Sequence, residues 1–187
     1  MKARRKFGRI RLSEGFTLIE VLVAVVVLAI GLLGLAGLQI SSLRGNQSAH
    51  SRTQASLIVD DMVERIRANR DSAVTYVDGT ITYPLNCGAT ALPNPYCGDR
   101  NGIPAAACTA VQIAAYDGFV WQCGEDRGDG TTVGSINTVL PQGGGSVVRP
   151  VVGGPFTVTV NWTEVNPDRS PGALATVAQN VTAIITP

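Results

Sequence analysis

The sequence predicts an α+β chain in which one long N-terminal helix packs on an antiparallel β-sheet head. Three observations predict it. Val21 to Leu38 is a run of 18 residues without a polar side chain. Val59, Met62, Val63 and Ile66 then recur at i, i+3, i+4 and i+7, the spacing of one helix face. Beyond Asp71, Gly, Pro, Asn and Asp punctuate short runs, and Phe156 to Trp162 alternates with a period of two. A helix followed mostly by strands is the pattern of an α+β domain.

The first element is a basic leader, residues 1–15. It carries six Lys/Arg against Glu14, a net +5, whereas residues 16–187 carry nine Arg, no Lys and 13 acidic residues, a net −4. A cationic cluster directly before an apolar run is a topology signal that keeps the N-terminus in the cytoplasm. Nucleic acid is not an expected partner, because the basic cluster is followed by no second basic patch and the remainder is acidic. The apolar run is too long for a secretory signal, and Gln39-Ile40-Ser41 is a poor cleavage site. Eighteen residues at about 1.5 Å rise span roughly 27 Å, close to the thickness of bilayer hydrocarbon. A transmembrane segment is therefore expected over 16–38, with the head outside.

The helix is expected to continue to residue 69, so 16–69 forms one element, with the head domain over 70–187. On its second half Asp60, Asp61, Glu64, Arg65 and Arg67 take the face opposite Val59, and Glu64 can pair with neighbouring arginines. Gly31, Gly34, Gly37 and Gly45 weaken the helix by about 1 kcal/mol each relative to Ala. Small residues at this spacing suit close helix packing in a membrane, and equally a segment able to stretch. In the head, Thr75 to Tyr83 reads as a hairpin about Asp78-Gly79, residues 84–107 as irregular loop, and Thr109 to Gln122 as a short helix with Val111, Ala114 and Ala115 inward. Gly143 to Gly145 reads as a turn into a strand, and Ala175 to Ile185 as the last strand.

Enzymatic chemistry finds little support. His50 is the one histidine and falls on the polar half of the long helix, so no Ser-His-Asp or Cys-His arrangement can be built beyond it. Phosphate-binding glycine motifs are absent, and no cofactor is expected. The four cysteines, Cys87, Cys97, Cys108 and Cys123, have nine, ten and 14 residues between them, which matches no compact zinc pattern; in an exported head they are disulfide candidates. A continuous helix between Cys108 and Cys123 would separate them by about 22 Å, against the roughly 7 Å a disulfide allows. Cys108–Cys123 is thus disfavoured, and Cys87–Cys97 with it if all four pair, unless the helix breaks at Asp117-Gly118. Glu125, Asp126 and Asp129 gather in one acidic loop and are weak calcium candidates without EF-hand spacing, so no metal is expected. Arg127-Gly128-Asp129 also spells an adhesion tripeptide, a match too short to carry weight.

Gly15-Phe16-Thr17-Leu18-Ile19-Glu20 raises a separate question, because a carboxylate near the mouth of an apolar run is costly unless neutralised or paired. A basic leader, glycine, phenylalanine, glutamate five residues after the glycine and an unbroken apolar helix resemble the N-terminus of type IV pilins and type II secretion pseudopilins. The resemblance implies cleavage between Gly15 and Phe16 by a prepilin peptidase, N-methylation of the new Phe16 amine, and an assembly role for Glu20 as partner of that amine in the helix bundle. Glu64 to Arg70, Cys108 to Gln122, Leu140 to Val147 and Phe156 to Trp162 further resemble a PilV-type minor pilin, lengthened here by Cys123 to Asn137. That implies a type IV pilin-like fold and a non-enzymatic role in pilus assembly, within a minor-pilin priming complex at the tip. The implied partners are other minor pilins, the major pilin, a tip adhesin and the inner membrane. The implied location is the inner membrane before assembly, single-pass with a periplasmic head, and the pilus at the cell surface afterwards. A type II secretion pseudopilin and a ligand-binding or DNA-uptake pilin are the alternatives.

Overall fold

The computed structural model describes residue 15 and residues 17–77, 81, 83–100, 102–166 and 175–186. The chain divides into two compact units, Met1–Gly45 and Asn46–Pro187. Helix α1 spans Leu18–Ala68. In the first unit its residues are exposed throughout, and it is long and apolar enough to cross a membrane, with a mean hydropathy of 2.9 over 18 residues.

In the second unit α1 buries Ser51, Ala55, Val59, Met62, Val63 and Ile66. This is the apolar stripe expected from the periodicity, extended toward the N-terminus by two small residues. A 3-10 helix, Arg70–Tyr76, follows directly. Thr75 and Tyr76 therefore do not open a strand, as the sequence suggested; Asp78-Gly79 lies outside the described residues. The reason is tertiary: Tyr76 is fully buried, and its hydroxyl is drawn to Asp117 of the next helix.

Helix α2, Ala110–Cys123, starts at a capping box in which the Thr109 hydroxyl accepts from the Gln112 amide and the Gln112 side chain accepts from the Thr109 amide. It stops at Gly124, whose φ of 96° a side chain would resist. Its buried residues are Ala114, Asp117, Gly118 and everything from Phe119 to Cys123. Val111 is 49% exposed and not inward, because α2 packs through its C-terminal half. Strands β1, Glu125–Asp126, and β2, Thr132–Val133, form a small antiparallel hairpin. A four-residue helix, α3, Ile136–Val139, returns the chain to the sheet.

The sheet is antiparallel, in the order β3 (Gly144–Val148), β4 (Phe156–Val165), β5 (Thr176–Ile185). The alternation of β4 puts Phe156, Val158, Val160 and Trp162 into a core shared with the α1 stripe, Trp121 and Ile136. Full burial of each large apolar side chain contributes about 1.5–3 kcal/mol. The Trp121 indole N–H donates to the Ile58 carbonyl at 2.8 Å, so its polar tip is satisfied inside the core. Gly145 permits this packing: a Cβ there would lie 2.3 Å from the Trp121 ring.

Candidate assembly site

Thr17 starts α1 by accepting the Glu20 amide on both its carbonyl, at 3.1 Å, and its hydroxyl, at 3.4 Å. Glu20 thereby falls in the first turn, where the helix dipole favours a carboxylate. With Val21, Ala24, Val25 and Leu28 it lines a shallow apolar trough along one side of the helix. Gly15 is exposed; Phe16 lies outside the described residues, as does nearly all of the leader. Nothing lies within 4 Å of the position a Cβ would take at Gly31, Gly34, Gly37 or Gly45. These glycines therefore present a bare backbone that a second helix can approach closely.

In the head, the polar residues that matter most carry no sequence motif. Asp117 is 6% exposed and accepts from Arg65 of α1 at 2.8 Å and from the Tyr76 hydroxyl at 2.5 Å. Asn69 donates to the Ala110 carbonyl at 2.7 Å. The end of α1 is thus joined to α2 by polar bonds that centre on the buried Asp117. Burial, then the bond and charge of Asp117, push the Tyr76 phenol well above its ordinary range. Burial lowers the Arg65 guanidinium, but its bonds and charge contacts with Asp61 and Asp117 outweigh that, and the net shift is upward. The Tyr83 hydroxyl is buried without a hydrogen-bond partner among the described residues, and burial, with the Asp117 charge behind it, raises that phenol as well. The single acid within the otherwise apolar run Ala114 to Trp121 was the only sequence signal for this network.

Two family models match adjoining stretches of the chain. The prokaryotic N-terminal methylation motif covers residues 10–36, across Gly15, Phe16 and Glu20. A model described as "Tt1218-like: Type IV pilin Tt1218" covers residues 37–119, which hold the second half of α1, the 3-10 helix, the loop and most of α2. Residues 10–119 are thus similar to a type IV pilin across both matches. Comparisons with curated proteins and with solved structures returned no match. The long apolar helix and the antiparallel sheet agree with the pilin-like α+β fold expected from the sequence. The methylation motif implies processing by a prepilin peptidase and assembly with other pilins, and with the apolar helix it is consistent with anchoring in the inner membrane beforehand.

Residues 123–137, expected from the sequence to be a lengthened segment, lie beyond both matches. Its acidic residues do not converge: no group of three or more metal-ligating side chains occurs among the described residues. Asp126 pairs with Arg100 at 2.7 Å and accepts the Gly128 amide. Asp129, fully exposed, binds the amide and hydroxyl of Thr131, and these bonds hold its carboxyl below the usual range. Glu125 sits beside the Tyr116 hydroxyl at 3.5 Å. The Arg127-Gly128-Asp129 tripeptide and His50 are exposed. The cysteines pair as Cys87–Cys123 and Cys97–Cys108, with Cα separations of 5.3 and 5.9 Å. Neither disfavoured pairing is formed, and α2 is continuous through Asp117-Gly118. Gln122 ties residues 123–137 down from within, donating to Asn137 and accepting the Gly145 amide, each at 2.9 Å.

Proposed function

We propose that this pilin is a minor pilin of the PilV type that joins other minor pilins in a complex priming type IV pilus growth, at the tip beneath a larger adhesin. The observation that carries the assembly reading is Glu20: a carboxylate in the first turn of an apolar helix that no other described residue covers. Cutting after Gly15 creates an ammonium on Phe16, four residues away. In a low-dielectric helix bundle the two charges attract strongly, so the charge that is costly in a lone subunit is compensated on assembly. Before assembly the N-terminus is cytoplasmic and the head periplasmic, as the basic leader requires. The head contributes shape and contacts rather than catalysis.

Glu20→Gln tests this. The variant is expected to insert in the membrane, to be cut after Gly15, and to co-purify poorly with its partner pilins. The bundled amine then lacks its partner, and breaking a buried ion pair costs about 3–5 kcal/mol. Wild-type recovery of the complex together with wild-type piliation would show that the charge does not act in assembly. The priming role is checked separately, by deletion: pilus number should fall more than pilus strength, since a primer is needed in few copies. Assembled protein that begins at Met1 instead of N-methyl-Phe16 would overturn the processing step.

A further inference from the structure

We infer that this chain is a substrate of an exported disulfide isomerase, a dithiol enzyme that reshuffles Cys87–Cys97 and Cys108–Cys123 into the pairs of the finished head. The finished pairs are nested: Cys97–Cys108 lies inside the loop closed by Cys87–Cys123. This rests on the exported head proposed above, since export delivers the cysteines in chain order. Cys87 and Cys97 come first, and Cys108 trails Cys97 by 11 residues. At a synthesis rate of about 5–20 residues per second, the first two are the only cysteines present for roughly 0.5–2 s. A ten-residue loop closes in about 10–100 ns, so the two thiols meet many times in that window. An exported thiol oxidase takes two electrons and two protons from them into its own disulfide, which leaves Cys87–Cys97. Cys108 and Cys123 then have only each other.

The native pairs cannot compete early, because the residues that position them come later in the chain. Cys87 packs against Phe119, Val120 and Cys123, and Asn137 donates to its sulfur at 2.9 Å. Beside Cys97, the Tyr96 hydroxyl accepts the Asp126 amide at 2.8 Å, and Arg100 pairs with Asp126 at 2.7 Å. The trapped product is also incompatible with the fold. A 14-residue α2 holds Cys108 and Cys123 about 22 Å apart, against the roughly 7 Å a disulfide allows. A Cys108–Cys123 bond therefore keeps α2 from forming, and with it the bonds of Asp117 to Arg65 and Tyr76. The oxidase finds no free thiol on such a chain, so escape needs a thiolate from another protein. The isomerase thiolate attacks the Cys108 sulfur, and Cys123 leaves as thiolate. Cys123 attacks the Cys87 sulfur and expels Cys97. Cys97 attacks Cys108 in the mixed disulfide and releases the isomerase thiolate. The chain holds two disulfides before and after, so no electrons are consumed.

The test expresses the full chain in cells lacking that isomerase, with pulse labelling, immediate alkylation of thiols and peptide mapping without reduction. Cys87–Cys97 with Cys108–Cys123 should accumulate, and the native pairs should fall about fivefold or more relative to the parent strain. Cys97→Ser with Cys108→Ser leaves Cys87 and Cys123 only each other. Their pair should then form equally with and without the isomerase, whether or not the head folds. Native pairing of the unaltered chain at the parental yield without the isomerase would overturn the inference. So would a fall in native pairs without Cys87–Cys97, or loss of Cys87–Cys123 from the double variant in that strain. Four free thiols in the parent strain would instead overturn the exported head, and the inference with it.

Discussion

Removing the Asp117 carboxylate should be the most costly polar change in the head. Asp117→Ala deletes two bonds at once, from Arg65 at 2.8 Å and from Tyr76 at 2.5 Å. The two partners fare differently afterwards. Arg65 is 28% exposed and keeps Asp61 at 2.9 Å, so water and that carboxylate recover much of its loss. Tyr76 is fully buried, and its hydroxyl is left with Asn69 at 3.4 Å and the Arg65 carbonyl at 3.5 Å, both long. An unsatisfied buried group costs about 1–3 kcal/mol, and a hydrogen bond to a charged group is worth about 1.5–3 kcal/mol. Discounted for the exposed side of Arg65, the expected loss is about 3 kcal/mol. Asp61→Ala, which breaks a half-exposed pair on the same arginine, should cost about 0.5 kcal/mol. Urea unfolding of the full-length protein in detergent, followed by the fluorescence of buried Trp121 and Trp162, measures both. With a slope of about 2 kcal/mol per molar urea, the midpoints should fall by about 1.5 M and 0.25 M. A midpoint for Asp117→Ala no lower than that for Asp61→Ala would refute the claim that the buried network carries the stability.

Tyr83→Phe removes a buried hydroxyl with no partner among the described residues and keeps the ring packed edge-on against Trp121, so it should be neutral or stabilising by up to about 1 kcal/mol in the same assay; a marked loss would reveal a bond to that hydroxyl. Gly145→Ala drives a methyl into Trp121 and Ile136, with Cβ distances of 2.3 and 2.6 Å, and should cost about 1–3 kcal/mol, read as a lower midpoint and a shifted tryptophan spectrum. Burial raises the phenols of Tyr76, Tyr83 and Tyr116 above their unfolded value of about 10, so the unfolded chain ionises first. Stability should be whole below about pH 10 and fall progressively as pH rises beyond it; phenolate absorbance from these three appearing before the head unfolds would contradict this.

The elements legible in the sequence were those written in local periodicity. Val21 to Leu38 declares an apolar helix, Val59 to Ile66 a half-buried one, and Phe156 to Trp162 a strand with one face inward; the helix appears within two residues of its expected bounds, and the strand runs three residues further, to Val165. The Gly15-Phe16…Glu20 pattern was equally local, and the methylation-motif match covers it. Thr75 and Tyr76 were misread because strand propensity there yields to a contact 41 residues away, Tyr76 to Asp117. Val111 was misplaced because a helix packed through one end does not bury its whole apolar stripe.

By itself, then, the sequence determined a membrane-length apolar helix with one carboxylate at its mouth, an amphipathic continuation and an antiparallel head, since all of these depend on neighbours a few residues apart, and it disfavoured two disulfide pairings on condition that α2 is unbroken. Only the tertiary structure decided which pairings form. A 14-residue α2 carries Cys123 away from Cys108 and delivers it to Cys87, while the loop folds Cys97 back onto Cys108. It also decided that Asp117 meets Arg65 and Tyr76, and that β5 stands at an edge. Contacts between residues 36 to 116 positions apart, such as Cys87–Cys123 and Ser48–Glu164, leave no period in the chain and exist only once the core has packed.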